Sequence, residues 1–353
     1  MPKKKICIVL GTRPEIIKLF PLIHKLKQEQ FFIIFSNQHY SKNMSLNFFN
    51  ELKIDKIKYI YKNKNKKKFI NNFYKYLKSI YSKEKPTQII VQGDTETSLL
   101  ACLAAREYAN SYNEKIPMIT HIEAGLRSND YSMPEELNRI IIDHNSDLLF
   151  VPTVIQKKNL TKEGIISKKI YIVGNTIADS VEYFRKKIPK SPYSDYILLT
   201  FHRHELLENI QRLKKLINLI NKIVNKFEKK ILFPIHPRTK KKLISNKIIL
   251  HKNVKLISPQ NYLNFLSLIK NANFILSDSG GLQEECCILN KEHITLRNNT
   301  ERPETISLNA NIVSNFNFKV IKKRIEYIMK NKKKWTHPYK KNVSKKILDI
   351  ISL

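Results

Sequence analysis

The chain has 353 residues, of which 42% are hydrophobic, enough for two domains of ordinary size. The formal net charge of +34 suggests nucleic-acid binding, but the basic residues are mostly lysines scattered among Asn and Ile, so we expect no nucleic-acid partner. No stretch reaches the roughly 20 apolar residues of a membrane span, and the apolar run after Met1 is too short for a signal peptide, so we expect a cytoplasmic protein without a membrane span.

Short Ile/Val-rich runs alternate with helix-length amphipathic stretches along the chain. The runs in the first half are Ile6–Leu10, Phe31–Phe35, Ile89–Val91, Met118–Ile122, Leu148–Val151 and Ile170–Val173. The pattern then restarts with Ile197–Thr200, Ile231–Ile235, Val254–Ile257, Phe274–Leu276 and Ile294–Leu296. Continuous apolar strands separated by helices are typical of parallel sheets covered on both faces. We therefore predict two doubly wound α/β lobes, residues 1–176 and 177–339, with ligands in a cleft between them.

Two further segments stand outside this alternation. Residues 340–353 are predicted to form one last helix that returns to the first lobe, and the lysine-rich run Lys62–Lys68 is predicted to be a solvated loop. The four cysteines show no CxxC spacing and lie in apolar or helix-like runs, which predicts buried thiols. There is no metal-ligand spacing and no GxGxxG, so we expect neither a metal nor a tightly bound NAD.

Two turns after predicted strands have the composition of anion sites. Gly11 opens the first turn, which brings Arg13 and Lys18 near the N-terminus of a helix. In the second lobe, Ser279 and Gly280 precede a helix, and small residues there let backbone N–H groups approach phosphate oxygens. Upstream, Phe265 is placed to present an aromatic face to a base. An ordinary capped helix start, or a core position for Phe265, is the alternative in each case.

Candidate acid/base groups follow the strands of the first lobe. Asp94 and Glu123 each follow a strand, and Glu135 opens a helix; strand ends are where catalytic carboxylates belong, although each one alone is also a common helix cap. In the second lobe, His202 and His236 follow strands, which indicates an anion site.

Eight motifs occur in a fixed order: GTRPEIIK, QGDT, HIEAGLRS, MPEELNR, VGNT, HPRT, SDSGGLQEE and RNNTERPE. Together they resemble the non-hydrolysing UDP-N-acetylglucosamine 2-epimerases, and the resemblance runs from Ile6 to the final helix. It implies a pair of Rossmann-like lobes of the glycosyltransferase-B-like kind, a homodimer, a final helix that crosses back to the first lobe, and no cofactor or metal.

The resemblance also implies roles for individual residues. Asp94, Glu123 and Glu135 become the acid/base carboxylates near the sugar C2, and His202 becomes a catalytic residue close to the diphosphate. Phe265 corresponds to an aromatic residue that stacks on uracil. The other residues expected to bind the substrate are Arg13, Lys18, Arg139, His236, Ser279, Gly280, Glu285 and Arg302.

The implied reaction interconverts UDP-GlcNAc and UDP-ManNAc by elimination and re-addition of UDP through a glycal. The alternatives are the same epimerisation of a modified UDP-sugar such as a 2,3-diacetamido uronic acid, a retaining glycosyltransferase of the same fold, or a basic polyanion-binding module. Many bacterial relatives bind a second, activating UDP-sugar. Gln38 and His39 of that neighbourhood are retained, but His204 replaces a common arginine and the Lys62–Lys68 run differs, so we expect weakened activation.

Overall fold

The computed structural model describes residues 4–38, 49, 51–62, 68–111, 116–331 and 334–352. The chain folds as two compact units: the first unit comprises Met1–Tyr183 and Pro338–Leu353, and the second unit comprises Phe184–His337. The first boundary therefore falls between Tyr183 and Phe184, a little later than the predicted position after residue 176. The final helix is grouped with the first unit.

The first unit contains a seven-stranded parallel sheet in the described residues, with strand order β3-β2-β1-β4-β5-β6-β7. Its strands are β1 (Ile6–Leu10), β2 (Phe31–Phe35), β3 (Ile57–Ile60), β4 (Gln88–Gln92), β5 (Met118–Ile122), β6 (Leu148–Val151) and β7 (Ile170–Ile172). Its helices are α1 (Arg13–Ile23), α2 (Phe69–Glu84), α3 (Glu96–Ser111), α4 (Pro134–Asn145), α5 (Val154–Lys162), α6 (Thr176–Arg185, which crosses the boundary) and α14 (Val343–Ser352).

The second unit contains a six-stranded parallel sheet in the described residues, with strand order β10-β9-β8-β11-β12-β13. Its strands are β8 (Tyr196–Thr200), β9 (Lys230–Pro234), β10 (Val254–Ile257), β11 (Ile275–Ser277), β12 (His293–Thr295) and β13 (Asn311–Val313). Its helices are α7 (His204–Glu208), α8 (Ile210–Phe227), α9 (Pro237–Ser245), α10 (Tyr262–Asn271), α11 (Gly280–Ile288), α12 (Pro303–Ser307) and α13 (Phe318–Lys330). The predicted fold class, two lobes built on parallel sheets, is thereby confirmed.

Buried apolar strands and helix faces build the core of each unit. β1, β2 and β4 are buried along their whole length, as central strands of a sheet covered on both faces must be. Helix α8 buries one apolar stripe of seven Leu, Ile and Val residues and turns its lysines outward, the 3.6-residue periodicity of a surface helix. Because the strands of each sheet are parallel, their carboxyl ends lie at one edge of that sheet. The loops that carry the candidate residues of each unit follow these strand ends.

The prediction of buried thiols is confirmed, because all four cysteines are buried and free. Burial raises the pKa of each thiol, so none is an activated thiolate. Across the described part of the chain, no helix has the length and apolar content needed to cross a membrane. Nor do the described side chains include a group of three or more His, Cys, Asp or Glu able to hold a metal ion. Residues 63–67 of the predicted solvated loop lie outside the described residues.

Candidate active site

The turn between β1 and α1 is fixed by the buried carboxylate of Glu15. This carboxylate accepts hydrogen bonds from the backbone N–H groups of Gly11 (3.0 Å) and Thr12 (2.7 Å), and from the hydroxyl of Thr95 (2.8 Å). Burial raises the pKa of Glu15, and its hydrogen bonds oppose the shift only in part. A Cβ atom at position 11 would lie 2.2 Å from Ser36 Oγ, so only glycine fits there. The turn thereby sets the position of the first residues of α1, including half-buried Arg13.

A buried ion pair joins Lys18 to Glu123. Lys18 Nζ lies 2.6 Å from both Glu123 oxygens, and the side chains are only 7% and 3% exposed. Gln92 Nε2 also donates to Glu123 Oε2, and Asn175 Nδ2 lies 3.5 Å from Oε1. The backbone of Glu123 has φ +70°, the left-handed region that non-glycine residues seldom adopt, and such strain is often found at functional sites. The structure thus brings together two sequence-predicted residues that are 105 positions apart.

Asp94 and Arg139, both predicted site residues, form a second ion pair. Arg139 donates to Asp94 Oδ2 through Nε (2.9 Å) and Nη2 (2.5 Å), and Asn138 Nδ2 donates to the backbone oxygen of Asp94 (2.9 Å). The Arg139 side chain is 3% exposed whereas that of Asp94 is 30% exposed. The carboxylate is therefore oriented from its buried side and reachable from the other.

Glu135 lies in the first turn of α4 and is half-buried. Its Oε2 is shielded from solvent and has no hydrogen-bond partner among the described residues. Burial, and then the negative charge of Glu135, raise the pKa of Glu96, a carboxyl in the first turn of α3. Glu135 and Glu123 therefore have different charged neighbours: Glu135 lies near the carboxyl group of Glu96, whereas Glu123 is paired with Lys18.

Two buried carboxylates that shape the loop after β5 were not among the predicted site residues. Glu136 accepts from the backbone N–H groups of Ser128 (2.9 Å) and Asn129 (2.8 Å). Asp143 accepts from His121 Nδ1 (2.7 Å) and Arg127 Nη1 (2.8 Å). Burial alone would raise the pKa of Asp143, but His121 and Arg127 outweigh it and the pKa is lowered. Glu136 falls inside the MPEELNR motif and Asp143 lies four residues beyond its last residue, but spacing gives no sign of the partners of either carboxylate.

The candidate residues of the second unit lie at the ends of β8, β9 and β11. Asp278, buried after β11, accepts from the backbone N–H groups of His202 (3.0 Å) and Arg203 (2.9 Å), which ties the loop after β8 to the loop after β11. The His202 side chain is exposed, with Nδ1 3.8 Å from Asp278 Oδ1. The rings of His202 and His236 lie 6.3 Å apart between centroids, so the two predicted histidines are neighbours. His236 caps α9, since its Nδ1 accepts from Arg238 N at 3.2 Å.

Arginines surround the N-terminus of α11. Arg302 Nη1 lies 3.0 Å from Glu301 Oε1, and its Nε donates to Glu284 at 2.8 Å. Arg297 Nη1 lies 2.9 Å from Glu301 Oε2. A Cβ atom at Gly280 would lie 2.6 Å from Arg302 Nη1, so glycine permits this close packing. A helix N-terminus beside buried cations is a site suited to anions.

The other predicted residues are placed individually. Ser279 is the N-cap residue of α11, and Glu285 is buried in the same helix. Phe265 is half-buried in α10. Gln38 accepts a hydrogen bond from Thr97 Oγ1 at 2.8 Å, beside the loop of Asp94. His39 and the side chain of His204 lie outside the described residues.

Comparisons with known proteins agree on one family. The family model described as UDP-N-acetylglucosamine 2-epimerase matches residues 23–352. A Methanococcus maripaludis protein named UDP-N-acetylglucosamine 2-epimerase is 45% identical, covering 98% of this chain and 97% of that protein. The crystal structure of Methanocaldococcus jannaschii UDP-GlcNAc 2-epimerase in complex with UDP-GlcNAc and UDP is 42% identical, with a TM-score of 0.91 and 99% of each chain covered.

A more distant relative acts on a different sugar. UDP-2,3-diacetamido-2,3-dideoxy-D-glucuronate 2-epimerase of Pseudomonas aeruginosa is 34% identical over 88% of each chain. The family model and the two more similar proteins cover nearly the whole of this chain, and all three carry the same description. The chain belongs to the UDP-N-acetylglucosamine 2-epimerase family.

Proposed function

We propose that this protein is an isomerase that interconverts UDP-GlcNAc and UDP-ManNAc. The observation that carries the proposal is the buried Lys18–Glu123 pair at the strand ends of the first unit, in a chain of this family. It provides a carboxylate held by a cation directly after β5; Asp94 follows the neighbouring strand β4, and Glu135 opens the helix that follows β5. The similarity to a UDP-GlcNAc 2-epimerase crystallised with UDP-GlcNAc and UDP supports the choice of sugar.

The chemistry explains why several carboxylates are needed. The C2 hydrogen of the sugar is not acidic, because no carbonyl is adjacent to it. When the C1–O bond breaks, its electron pair leaves on UDP and C1 gains oxocarbenium character, which acidifies that hydrogen. A carboxylate takes the C2 proton, and the C–H electron pair becomes the C1–C2 double bond of a glycal. Protonation on the other face and return of UDP to C1 invert C2. These steps as written use proton transfer and elimination alone.

The different partners of the carboxylates suggest how the roles divide. Opposite charge favours the ionised form of a carboxyl group, and a neighbouring like charge disfavours it. We therefore assign Glu123, held by Lys18, as the base that takes the C2 proton of UDP-GlcNAc. Glu135, whose shielded Oε2 accepts no hydrogen bond from the described residues, is assigned as the acid that protonates the opposite face. Asp94, oriented by Arg139, is assigned to assist proton transfer at the sugar C2.

The second unit is proposed to bind UDP. Cations and helix N-termini stabilise the charge that develops on the leaving diphosphate. The residues assigned to UDP are Phe265 against uracil, Glu285, Ser279 and Gly280 against ribose and phosphate, and His202, His236 and Arg302 near the diphosphate. Arg13 of the first unit is assigned to substrate binding. We also propose, from the family resemblance, that the protein is a cytoplasmic homodimer.

Incubation of the purified protein with UDP-GlcNAc alone in deuterium oxide tests the proposal. We expect UDP-ManNAc to form without acceptor, NAD or added metal, and both sugars to carry deuterium at C2. A protein that forms no UDP-ManNAc, or that retains all C2 hydrogen, contradicts it. A parallel assay with the UDP-2,3-diacetamido uronic acid decides the alternative, because a higher kcat/KM for that sugar would replace UDP-GlcNAc as the substrate.

Single variants test the assigned residues. Glu123→Gln should lower kcat by about 10²-fold or more, the scale of general acid/base catalysis. The matched control is Glu107→Gln, a half-exposed glutamate of α3 that pairs with Lys78 at the protein surface and should retain wild-type kcat. Equal kcat in the two variants would remove Glu123 from the reaction.

A further inference from the structure

We infer that the C-terminal segment, residues 338–352, is a positioning element of the proton-transfer site and acts on Glu123 through Asn175. We call this segment the C-terminal strap. The inference rests on the proposed function, because it assigns to the strap an effect on the base of that reaction. The strap belongs to the first unit.

The strap is attached to the turn between β7 and α6 at several points. Tyr339 is fully buried, and its carbonyl accepts from the backbone N–H of Asn175 at 3.1 Å. Lys340 Nζ donates to the carbonyl of Ile172 at 3.1 Å. The carboxylate of Asp179 accepts from Ser344 N at 2.8 Å and so caps α14. Hydrogen bonds therefore hold the strap against the turn between β7 and α6.

Gly174 makes the close approach possible. Its φ is +102°, and a Cβ atom there would lie 2.2 Å from the Tyr339 carbonyl oxygen and 2.9 Å from Lys340 Cβ. Any side chain at this position must push the strap away or move the turn. This accounts for the glycine of the VGNT motif, which the proposed chemistry does not use.

Asn175 links the strap to the base. Its side chain is buried, and its Oδ1 accepts from Ile177 N at 3.1 Å. This bond fixes the amide so that Nδ2 faces Glu123 Oε1 at 3.5 Å. The backbone N–H of the same residue is held by Tyr339 in the strap. Asn175 is thus assigned as a positioning residue that acts through the carboxylate of Glu123.

Glu123 depends on such support because its backbone is in the left-handed region. Among the groups that contact its carboxylate are the cation Lys18 from α1, the uncharged Gln92 from β4, and Asn175 from the turn before α6. Displacement of the strap should move Asn175 Nδ2 away from Glu123 and so allow the Glu123 carboxylate to rotate. A misplacement of about 1 Å costs up to about 10²-fold in rate. The loss should appear in kcat and leave UDP affinity unchanged.

Two glycine variants test this. Gly174→Ala is compared with Gly164→Ala, because Gly164 also has a positive φ, +86°, but a Cβ atom there meets nothing within 4 Å. We expect Gly174→Ala to lower kcat by about 10-fold to 10²-fold relative to Gly164→Ala. The Kd for UDP, measured by calorimetry, should stay within about twofold of wild type in both. Equal kcat in the two variants overturns the inference.

A second variant keeps the test decisive if Gly174→Ala does not fold. Asn175→Asp retains the oxygen that accepts from Ile177 N but places a carboxylate against Glu123. Because a like charge favours the protonated form, the acidic limb of the kcat profile should move to higher pH by about one unit, and activity should return at alkaline pH. An unmoved profile overturns the inference. If wild type itself fails to epimerise UDP-GlcNAc, the proposed function is what has failed.

Discussion

Replacement of Lys18 by methionine is the sharpest perturbation that the first unit offers. Lys18→Met keeps an unbranched chain of similar length but removes the cation that lies 2.6 Å from both Glu123 oxygens. Because both side chains are less than a tenth exposed, the carboxylate is left buried without its countercharge. Loss of one partner of a buried pair costs about 3–5 kcal/mol of stability. A domain is stable by about 5–15 kcal/mol, so the loss should be large and readily measured.

The dependence of this cost on pH follows from the charge of Glu123. A buried carboxylate without its cation is more favourable when it takes up a proton. The free energy of unfolding of the variant should therefore fall furthest below that of wild type at pH 8, and the difference should become smaller as the pH falls toward 5. Urea unfolding followed by circular dichroism at the two pH values measures the gap. Epimerase activity of Lys18→Met should fall by about 10²-fold or more.

The double variant Lys18→Met/Glu123→Gln separates stability from activity. Replacing both charges by neutral groups of similar size removes the uncompensated charge, so most of the lost stability should return. Activity should not return, because the base is absent. A double variant no more stable than Lys18→Met would show that the two residues are not coupled. That result would remove the physical basis for assigning Glu123 as the base.

Three further predictions concern other parts of the molecule. Arg139→Lys keeps the charge but loses the two-nitrogen contact with Asp94, so kcat should fall by about 10-fold to 10²-fold in a folded protein; wild-type kcat would contradict this role. Gly280→Ala should weaken UDP binding in calorimetry by about tenfold or more, because the added methyl group must displace Arg302; an unchanged Kd would exclude Arg302 from the UDP site. Burial lowers the pKa of His293 from 6.5 to about 4. The pKa of His293 is therefore lower in the folded chain than in the unfolded chain, and the neutral ring contributes its full stability above pH 6.5. This contribution is lost as the pH falls from 6.5 to 4, and the free energy of unfolding should decrease by about 2 kcal/mol between pH 7 and 5. His293→Asn, which retains a donor for Asn311, should lack this increment in urea unfolding, whereas parallel pH dependence in both proteins would contradict it.

Most of the described strands could be predicted from their continuous Ile/Val-rich runs. β1, β2, β5, β6 and β10 begin and end at the predicted residues. The strands that were missed, β3 and β13, are each an edge strand of their own sheet, although the edge strands β7 and β10 were predicted. In β3 the residues are alternately half-buried and exposed, so Ile57–Ile60 shows no continuous apolar run. In β3 this incomplete burial weakens the apolar pattern by which the sequence indicates a strand.

The sequence predicts which residues belong to the candidate site, but it does not predict which of them form ion pairs or hydrogen bonds with each other. Motif order placed Lys18 and Glu123 in one site, yet no local pattern indicates that they share one ion pair across 105 positions. Neighbouring residues show the same limit. Glu135 and Glu136 are adjacent in one motif, but successive side chains on a helix point about 100° apart. One of them therefore has an unpartnered oxygen while the other is buried against Ser128 and Asn129.

The kind of hydrogen-bond donor separates three supporting carboxylates from two of the proposed catalytic ones. Glu15, Glu136 and Asp278 each accept from two backbone N–H groups and so fix the loops on which other residues stand. The carboxylates of Asp94 and Glu123 are contacted by side chains. A carboxylate bound to the backbone cannot turn toward a substrate unless its loop unfolds, because those donors are fixed by the chain. Side-chain donors can rotate as a proton arrives or leaves. A motif records only that a carboxylate is present, and its donors appear only when the chain has folded.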